Sequence, residues 1–245
     1  MYATPKYLGA GEKCLVVEFS DAIDREANIR LQGLRRALEK RSIPGMIELV
    51  PTYRSLSIYH DPLVLSREDL LPQIENALQD VSQAESGRKR ILVMPVLYGG
   101  EYGPDIANVA EHTGFSEEEV IRRHTAKDCY CFMMGFTPGF GYLGGMDEAL
   151  ETPRLKTPRT RITGGSVGIA GKQTGVYSID SPGGWQLIGH TPLRLFDPGA
   201  EQSTIIDAGD WVRFRSIDEK EYADIKEAVA ARRYVPEHIF EGGDA

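Results

Sequence analysis

The chain has 245 residues, with 28 Lys and Arg against 36 Asp and Glu, for a net charge of −8. That balance argues against attraction to phosphate backbones, and no stretch approaches the roughly 20 apolar residues of a membrane span. Three scattered cysteines cannot build a disulfide framework, and the N-terminus carries no signal-like run, so a cytoplasmic protein without nucleic acid or membrane as partner is expected.

Residues 13–19 (KCLVVEF) read as a short buried strand between Gly11 and Ser20-Asp21. A helix is expected next, because Ile23, Ala27, Leu31, Leu34 and Leu38 recur at steps of three or four and share one face. Pro44-Gly45 breaks the chain, and MIELVPTYRSLSIYHD reads as two strands about a turn near residues 51–54. The second helix has Ser66 and Asp69 as an approximate capping box and Leu70, Ile74, Leu78 and Val81 as its stripe, with Pro72 expected to delay or kink its first turn. The polar run SQAESGRKR (82–90) closes the segment as a linker. The order β-α-β-β-α, with ILVMPVLYG (91–99) available as a last strand, predicts a small ferredoxin-like domain over residues 1–89.

A second domain, 90–245, is rich in Gly and Pro. Helices are expected near 104–113 and 116–124, the latter with Ser116 and Glu119 as a capping box and Arg122-Arg123-His124 at its end. YCFMMGF, SVGIA, GVYSID, WQLIG, LRLF and DWVRF are short strand candidates with glycine-rich connections, which predicts a closed or nearly closed β-barrel and an α+β chain. A last helix is expected from Ser216, with Glu219 three residues on and Tyr222, Ile225 and Val229 buried.

The segment GIAGKQTG (168–175) fails as a phosphate loop: Ser166 stands at the first glycine position, Gln173 separates Lys172 from Thr174, and a strand follows. Its glycines read as barrel corners or points of close ligand approach. Cys129 and Cys131 share a strand face, and with His124 as the nearest further ligand they read as buried thiols before a zinc site. Arg154, Lys156, Arg159 and Arg161 in ETPRLKTPRTR form either a solvated edge strand or a bidentate clamp for a carboxylate or phosphate. In FTPGFGYLGG, Phe136, Phe140 and Tyr142 either cap the barrel or line a small-ligand pocket. In SPGGWQLIGHT, Gly183 and Gly184 permit a bend that exposes Trp185. Alternation there places Trp185 and Leu187 on one face and Gln186 and Ile188 on the other. His190, at the strand end, is either structural or aimed into a cleft.

PVLYGGEYGPD (95–105), GFTPGFGYLGG (135–145), TPRLKTPRTRI (152–162), GGSVGIAGKQTGVY (164–177) and SPGGWQLIGHTPLRLFDP (181–198) together resemble the family of the 5-oxoprolinase B subunit. That family includes the sporulation-kinase inhibitor KipI and the subunit 1 type of allophanate hydrolase. Two loops depart from its pattern: Gly139-Phe140-Gly141-Tyr142 replaces Gly-Phe-Pro-Tyr, and Ile162-Thr163-Gly164-Gly165 replaces Val-Pro-Ala-Gly. The resemblance implies a cyclophilin-like barrel after the small domain, partnership with a homologous C subunit of barrel type and with an A subunit, and ATP-dependent opening of 5-oxoproline to glutamate. ATP, with magnesium, is implied at the level of the complex. Such a site must hold a carboxylate, a lactam and a phosphoryl group. Chemistry then nominates Arg159 and Arg161 for the anionic groups and His190 and Gln186 as catalytic donors, with Gln173, Tyr177, Phe140 and Tyr142 beside them. The alternatives are an inhibitor of a histidine kinase and a component of a biotin-dependent carboxyltransferase acting on urea-like substrates.

Overall fold

The computed structural model describes residues 1–83, 89–135 and 137–242. Residues 84–88 of the expected linker and Phe136 therefore lie outside the described residues. Two compact units make up the chain, Met1–Arg88 and Lys89–Glu241.

The first unit contains β1 (Lys6–Gly9), β2 (Cys14–Glu18), α1 (Arg25–Arg41), β3 (Met46–Pro51), β4 (Ser55–His60) and α2 (Arg67–Gln83). Its sheet runs β1-β2-β4-β3, and all neighbours are antiparallel. The arrangement is ferredoxin-like, but its last place is taken by the N-terminal β1 and not by residues 91–99. Those residues are buried almost without interruption, as a barrel wall requires and a half-exposed edge strand does not. Asp24 caps α1 by accepting from the Ala27 N–H at 2.7 Å, and Ala27, Leu31, Leu34 and Leu38 are all buried. Ile23 precedes the cap and is exposed. Ser66 accepts from the Asp69 N–H at 3.1 Å, and α2 continues through Pro72 without a break.

The second unit begins with β5 (Lys89–Tyr98), α3 (Ile106–Thr113), α4 (Glu117–Thr125), β6 (Cys129–Met134) and β7 (Gly141–Gly144). A short 3-10 turn precedes β8 (Arg159–Ile162), β9 (Ser166–Ala170), β10 (Gln173–Val176), β11 (Ser181–Gly183), β12 (Gln186–His190), β13 (Trp211–Ser216), α5 (Glu219–Ala230) and β14 (His238–Glu241). Strands β12-β9-β10-β7-β6-β13-β5 form a closed barrel, because β12 also pairs with β5; β14 adds to β5 alongside. β8 and β11 form a separate ribbon. The core joins barrel residues such as Val96, Val167, Ile188 and Phe214 to Val109 of α3, Val120 of α4 and Ile225 of α5. No helix among the described residues is long and apolar enough to cross a membrane.

Local differences from the sequence expectation have local causes. LRLF follows Pro192, which has no N–H for a ladder, and makes only an isolated bridge from Phe196 to Thr204. β13 extends through Ser216, so α5 is capped instead by Asp218, which accepts from the Glu221 N–H at 2.8 Å. β7, β8 and β11, of three or four residues each, are too short to register as periodic, and β7 and β11 are also rich in Gly or Pro.

Cys129 and Cys131 are fully buried in the barrel, and burial pushes the Cys129 thiol up to about 12. Among the described residues no cluster of His, Cys, Asp or Glu could hold a metal. His124 is instead the centre of a buried relay. Thr174 donates to the Gly168 carbonyl at 3.0 Å, so its oxygen must accept from His124 Nε2 at 2.8 Å, and Nδ1 accepts from Tyr98 Oη at 2.8 Å. Enclosure in this core holds the His124 pKa down to about 3. The unfolded ring takes a proton near pH 6.5 and the folded ring refuses it. The stabilisation is therefore complete above about pH 6.5 and is lost toward pH 3, at about 1.4 kcal/mol per pH unit. Urea unfolding should show about 2 kcal/mol lost between pH 7 and pH 5, and a His124→Gln profile should be flatter. Parallel profiles would remove His124 from the pH dependence.

Candidate functional site

The end of β12 is set by contacts that leave no space for side chains. A Cβ at Gly189 would stand 2.7 Å from Val96 Cγ1 and 2.9 Å from the Leu97 carbonyl oxygen. Gly189 thus lets β12 approach β5, and His190 follows at the barrel rim. Gly165 meets the ring from the other side. Its φ is +96°, and a Cβ there would lie 2.3 Å from His190 Cε1 and 2.6 Å from the Thr191 carbonyl oxygen. Hydrogen bonds pin it in place: Gly165 donates to Tyr177 at 2.6 Å and accepts from the Thr191 N–H at 2.8 Å.

His190 faces an open groove of about 860 Å³ whose wall includes Tyr102, Thr163, Ser166, Asp180, Arg194, Tyr222 and Lys226. Its Nδ1 lies 2.9 Å from Tyr222 Oη. The rings of His190, Tyr102 and Tyr222 meet at tilted or edge-on angles, with Tyr102 and Tyr222 centroids 4.8 Å apart. Burial is the main cause that lowers the His190 pKa below 6.5. The main chain at Gly164 and Thr191 opposes that shift, and Lys226 reinforces it. Burial, with Tyr102 beside it, pushes the Tyr222 phenol up to about 12. At neutral pH the pair is therefore a neutral imidazole against a protonated phenol. Asp180 accepts from the Gly164 N–H at 2.9 Å and from Arg161 at 3.0 and 2.7 Å, contacts that keep its carboxyl ionised well into acid.

The structure does not gather the residues nominated from sequence in one place. His190 lines the groove, and Arg161 reaches its edge through Asp180. Arg159 instead pairs with the buried Asp105 at 2.8 Å, whose second oxygen accepts from the Leu187 N–H at 2.7 Å. Gln186 is buried and donates to the Pro153 carbonyl at 3.0 Å. Phe140, Tyr177 and Trp185 form a buried aromatic cluster with Tyr142 packed against it, at centroid separations of 5.2 to 6.2 Å. Trp185, expected at the surface, is therefore covered. Rings arriving from β7 and the end of β10 fill the space beneath the Gly183-Gly184 bend. Gln173 stands at the start of β10, beside the turn at Gly171. Lys226 and the hydroxyl of Tyr222 were not nominated, because helical spacing reports the buried face of α5 and not what a hydroxyl at its edge touches; Tyr102, in the turn after β5, carries no such pattern either.

The family model for the carboxyltransferase domain, subdomain C and D, matches residues 5–206. The 5-oxoprolinase B subunit of Bacillus subtilis is 40% identical over 227 residues, covering 89% of this chain and 95% of that protein. The chain belongs to the family of the 5-oxoprolinase B subunit. The protein of that name from Escherichia coli O157:H7 is 39% identical over 205 residues, 83% of this chain and 92% of its own length. The crystal structure of TTHA0988 superposes with a TM-score of 0.74 at 34% identity, covering 84% of this chain and 40% of that longer chain. A putative urea carboxylase of Emericella nidulans is 24% identical, and the match spans 88% of this chain but only 20% of that protein. Tyr222 and Lys226 lie beyond the residues matched by the family model.

Gly165 and Gly171 both have positive φ, but a Cβ at Gly171 would meet nothing within 4 Å. Gly171→Ala should cost about 1 kcal/mol, the strain of the left-handed backbone alone. Gly165→Ala should cost about 3 kcal/mol or more in urea unfolding, because the His190 ring must also move. Equal costs would show that the ring gives way freely.

Proposed function

We propose that this chain is the B subunit of a cytoplasmic, ATP-dependent 5-oxoprolinase that opens 5-oxoproline to glutamate with the A and C subunits, and that its groove is one wall of a shared active site. The observation that carries this reading is a neutral His190 paired to Tyr222 at the rim of an open groove, in a chain matched almost end to end by proteins of that name. An unstrained lactam is a poor electrophile, and ATP supplies the driving force for opening it. In this reading His190 handles the proton that moves as water adds and the ring nitrogen leaves. Lys226, one helical turn from Tyr222, offers a positive charge to the substrate carboxylate.

The residues of this chain do not by themselves fit a nucleoside triphosphate. The glycine segment 168–175 is a β-turn-β unit built from β9 and β10, with no helix N-terminus behind it. Lys172 pairs with Glu148 and Arg194 with Asp197, while Asp180 and Glu101 bring negative charge to the groove. The nucleotide and its magnesium are therefore assigned to the assembled complex, where the homologous C subunit seals a groove too open to exclude water. The carboxyltransferase reading has only the more distant urea carboxylase likeness behind it.

Purified alone, the chain should show no 5-oxoproline-dependent ATP hydrolysis; mixed with the A and C subunits it should. His190→Ala should lower kcat/KM of the complex by about 100-fold while leaving assembly, followed by size-exclusion chromatography, intact. Turnover by the isolated chain would defeat the shared site, and a fully active His190→Ala complex would return the histidine to a structural role.

A further inference from the structure

We infer that Tyr222 of α5 is a positioning residue for His190: its hydroxyl donates to Nδ1 and thereby fixes the imidazole as the Nε2–H tautomer. The inference concerns the ring itself, and its bearing on catalysis rests on the reading of the groove as an active-site wall.

Three observations combine. Tyr222 is 4% exposed, and its Oη lies 2.9 Å from His190 Nδ1. A phenol in that enclosure keeps its proton, so the hydroxyl has one to give. The opposite edge of the ring lies against the Gly164-Gly165 turn, where Nε2 would be 2.8 Å from a Cβ added at Gly165. The main chain at Gly164 and Thr191 favours a protonated ring, and among the described residues Tyr222 Oη has no hydrogen-bond partner other than His190 Nδ1. A neutral imidazole has one N–H. Placed on Nε2, it leaves Nδ1 to accept from Tyr222; placed on Nδ1, it denies the Tyr222 hydroxyl its acceptor. Tyr102, packed on both rings, holds the geometry by contact.

The same logic operates at His124, where Tyr98 donates to Nδ1 and Nε2–H points to Thr174. His190 differs in facing the groove. The charged and titratable groups around it are Lys226 and Tyr222 on α5, Tyr102 and Glu101 on the turn after β5, Asp180 before β11 and Arg194 after β12. Lys226 opposes protonation and Asp180 is already committed to Arg161 and Gly164. Tyr222 is thus the group that selects between the two neutral forms.

Nitrogen-15 NMR of the histidine rings in the isolated full-length chain tests this directly. The wild-type His190 should show one neutral tautomer, protonated at Nε2; a ring protonated at Nδ1 would overturn the inference without any variant. Tyr222→Phe keeps the ring packing and removes the hydroxyl. It should give a mixture of tautomers and raise the His190 pKa, because the neutral form loses its donor. An unchanged tautomer and pKa would reduce Tyr222 to a packing residue. In the complex with the A and C subunits, the same variant should move the acid limb of the kcat profile upward in pH, with KM little changed. An NMR shift with an unmoved rate profile would uphold the tautomer assignment and instead sink the active-site reading of the groove.

Discussion

The barrel closes along two residue pairs, Gly189 with Tyr98 and His190 with Leu97, and that short seam determines what stands at the groove. β5 is engaged by β14 over residues 89–92, so β12 meets β5 only near its end. The Gly99 N–H donates to the Ile188 carbonyl at 3.1 Å, which ties the turn carrying Tyr102 to the same seam. A side chain at residue 189 would open this junction, and His190 and Tyr102 would both move. The glycine that sequence reading could treat as mere loop flexibility is therefore a condition for closure.

A second lock lies next to it. Asp105 donates its N–H to the Leu187 carbonyl at 2.9 Å, accepts the Leu187 N–H on one carboxylate oxygen and takes Arg159 on the other. β12 is irregular between Leu187 and Gly189, and these bonds hold that irregularity in register. Removing Arg159 would leave a buried carboxylate with its strongest partner gone, a change costly to the fold whatever it does to ligands. Any loss of activity in an Arg159 variant must for that reason be read together with its stability.

Local signals carried much of the fold. The α1 stripe from Ala27 to Leu38 and the Ser116 cap of α4 follow from spacing and side-chain chemistry within one element, and both are present. What spacing misses is partnership across the chain. Residues 91–98 read equally well as a ferredoxin-like strand or a barrel wall, since an apolar run states how much burial it needs but not what provides it. Trp185 failed for the same reason: the Gly183-Gly184 bend is local, whereas Phe140 and Tyr177 reach it from other strands. His190 was legible as a strand-end histidine among glycines. Tyr222 was legible only as a buried helix residue, because nothing in its own neighbourhood announces a hydrogen bond to a strand 32 positions earlier.

His124 and His190 show how one device serves two ends. Each has a tyrosine hydroxyl at Nδ1. His124 is closed in on all sides by Tyr98, Thr174 and Phe214, and its proton equilibrium is pushed out of the physiological range. His190 keeps an open side, so its depression is smaller and its state remains sensitive to whatever covers the groove. A partner surface that removes water from the ring drives it further toward neutrality, whereas one that brings a carboxylate within a few ångströms pulls it back. Closure by a neutral or basic surface therefore does two things at once: it dries the groove and keeps the imidazole neutral, with Nδ1 held by Tyr222. An acidic closing surface would give up the second of these, and so the charge of the covering face, more than its shape, decides the protonation state of His190.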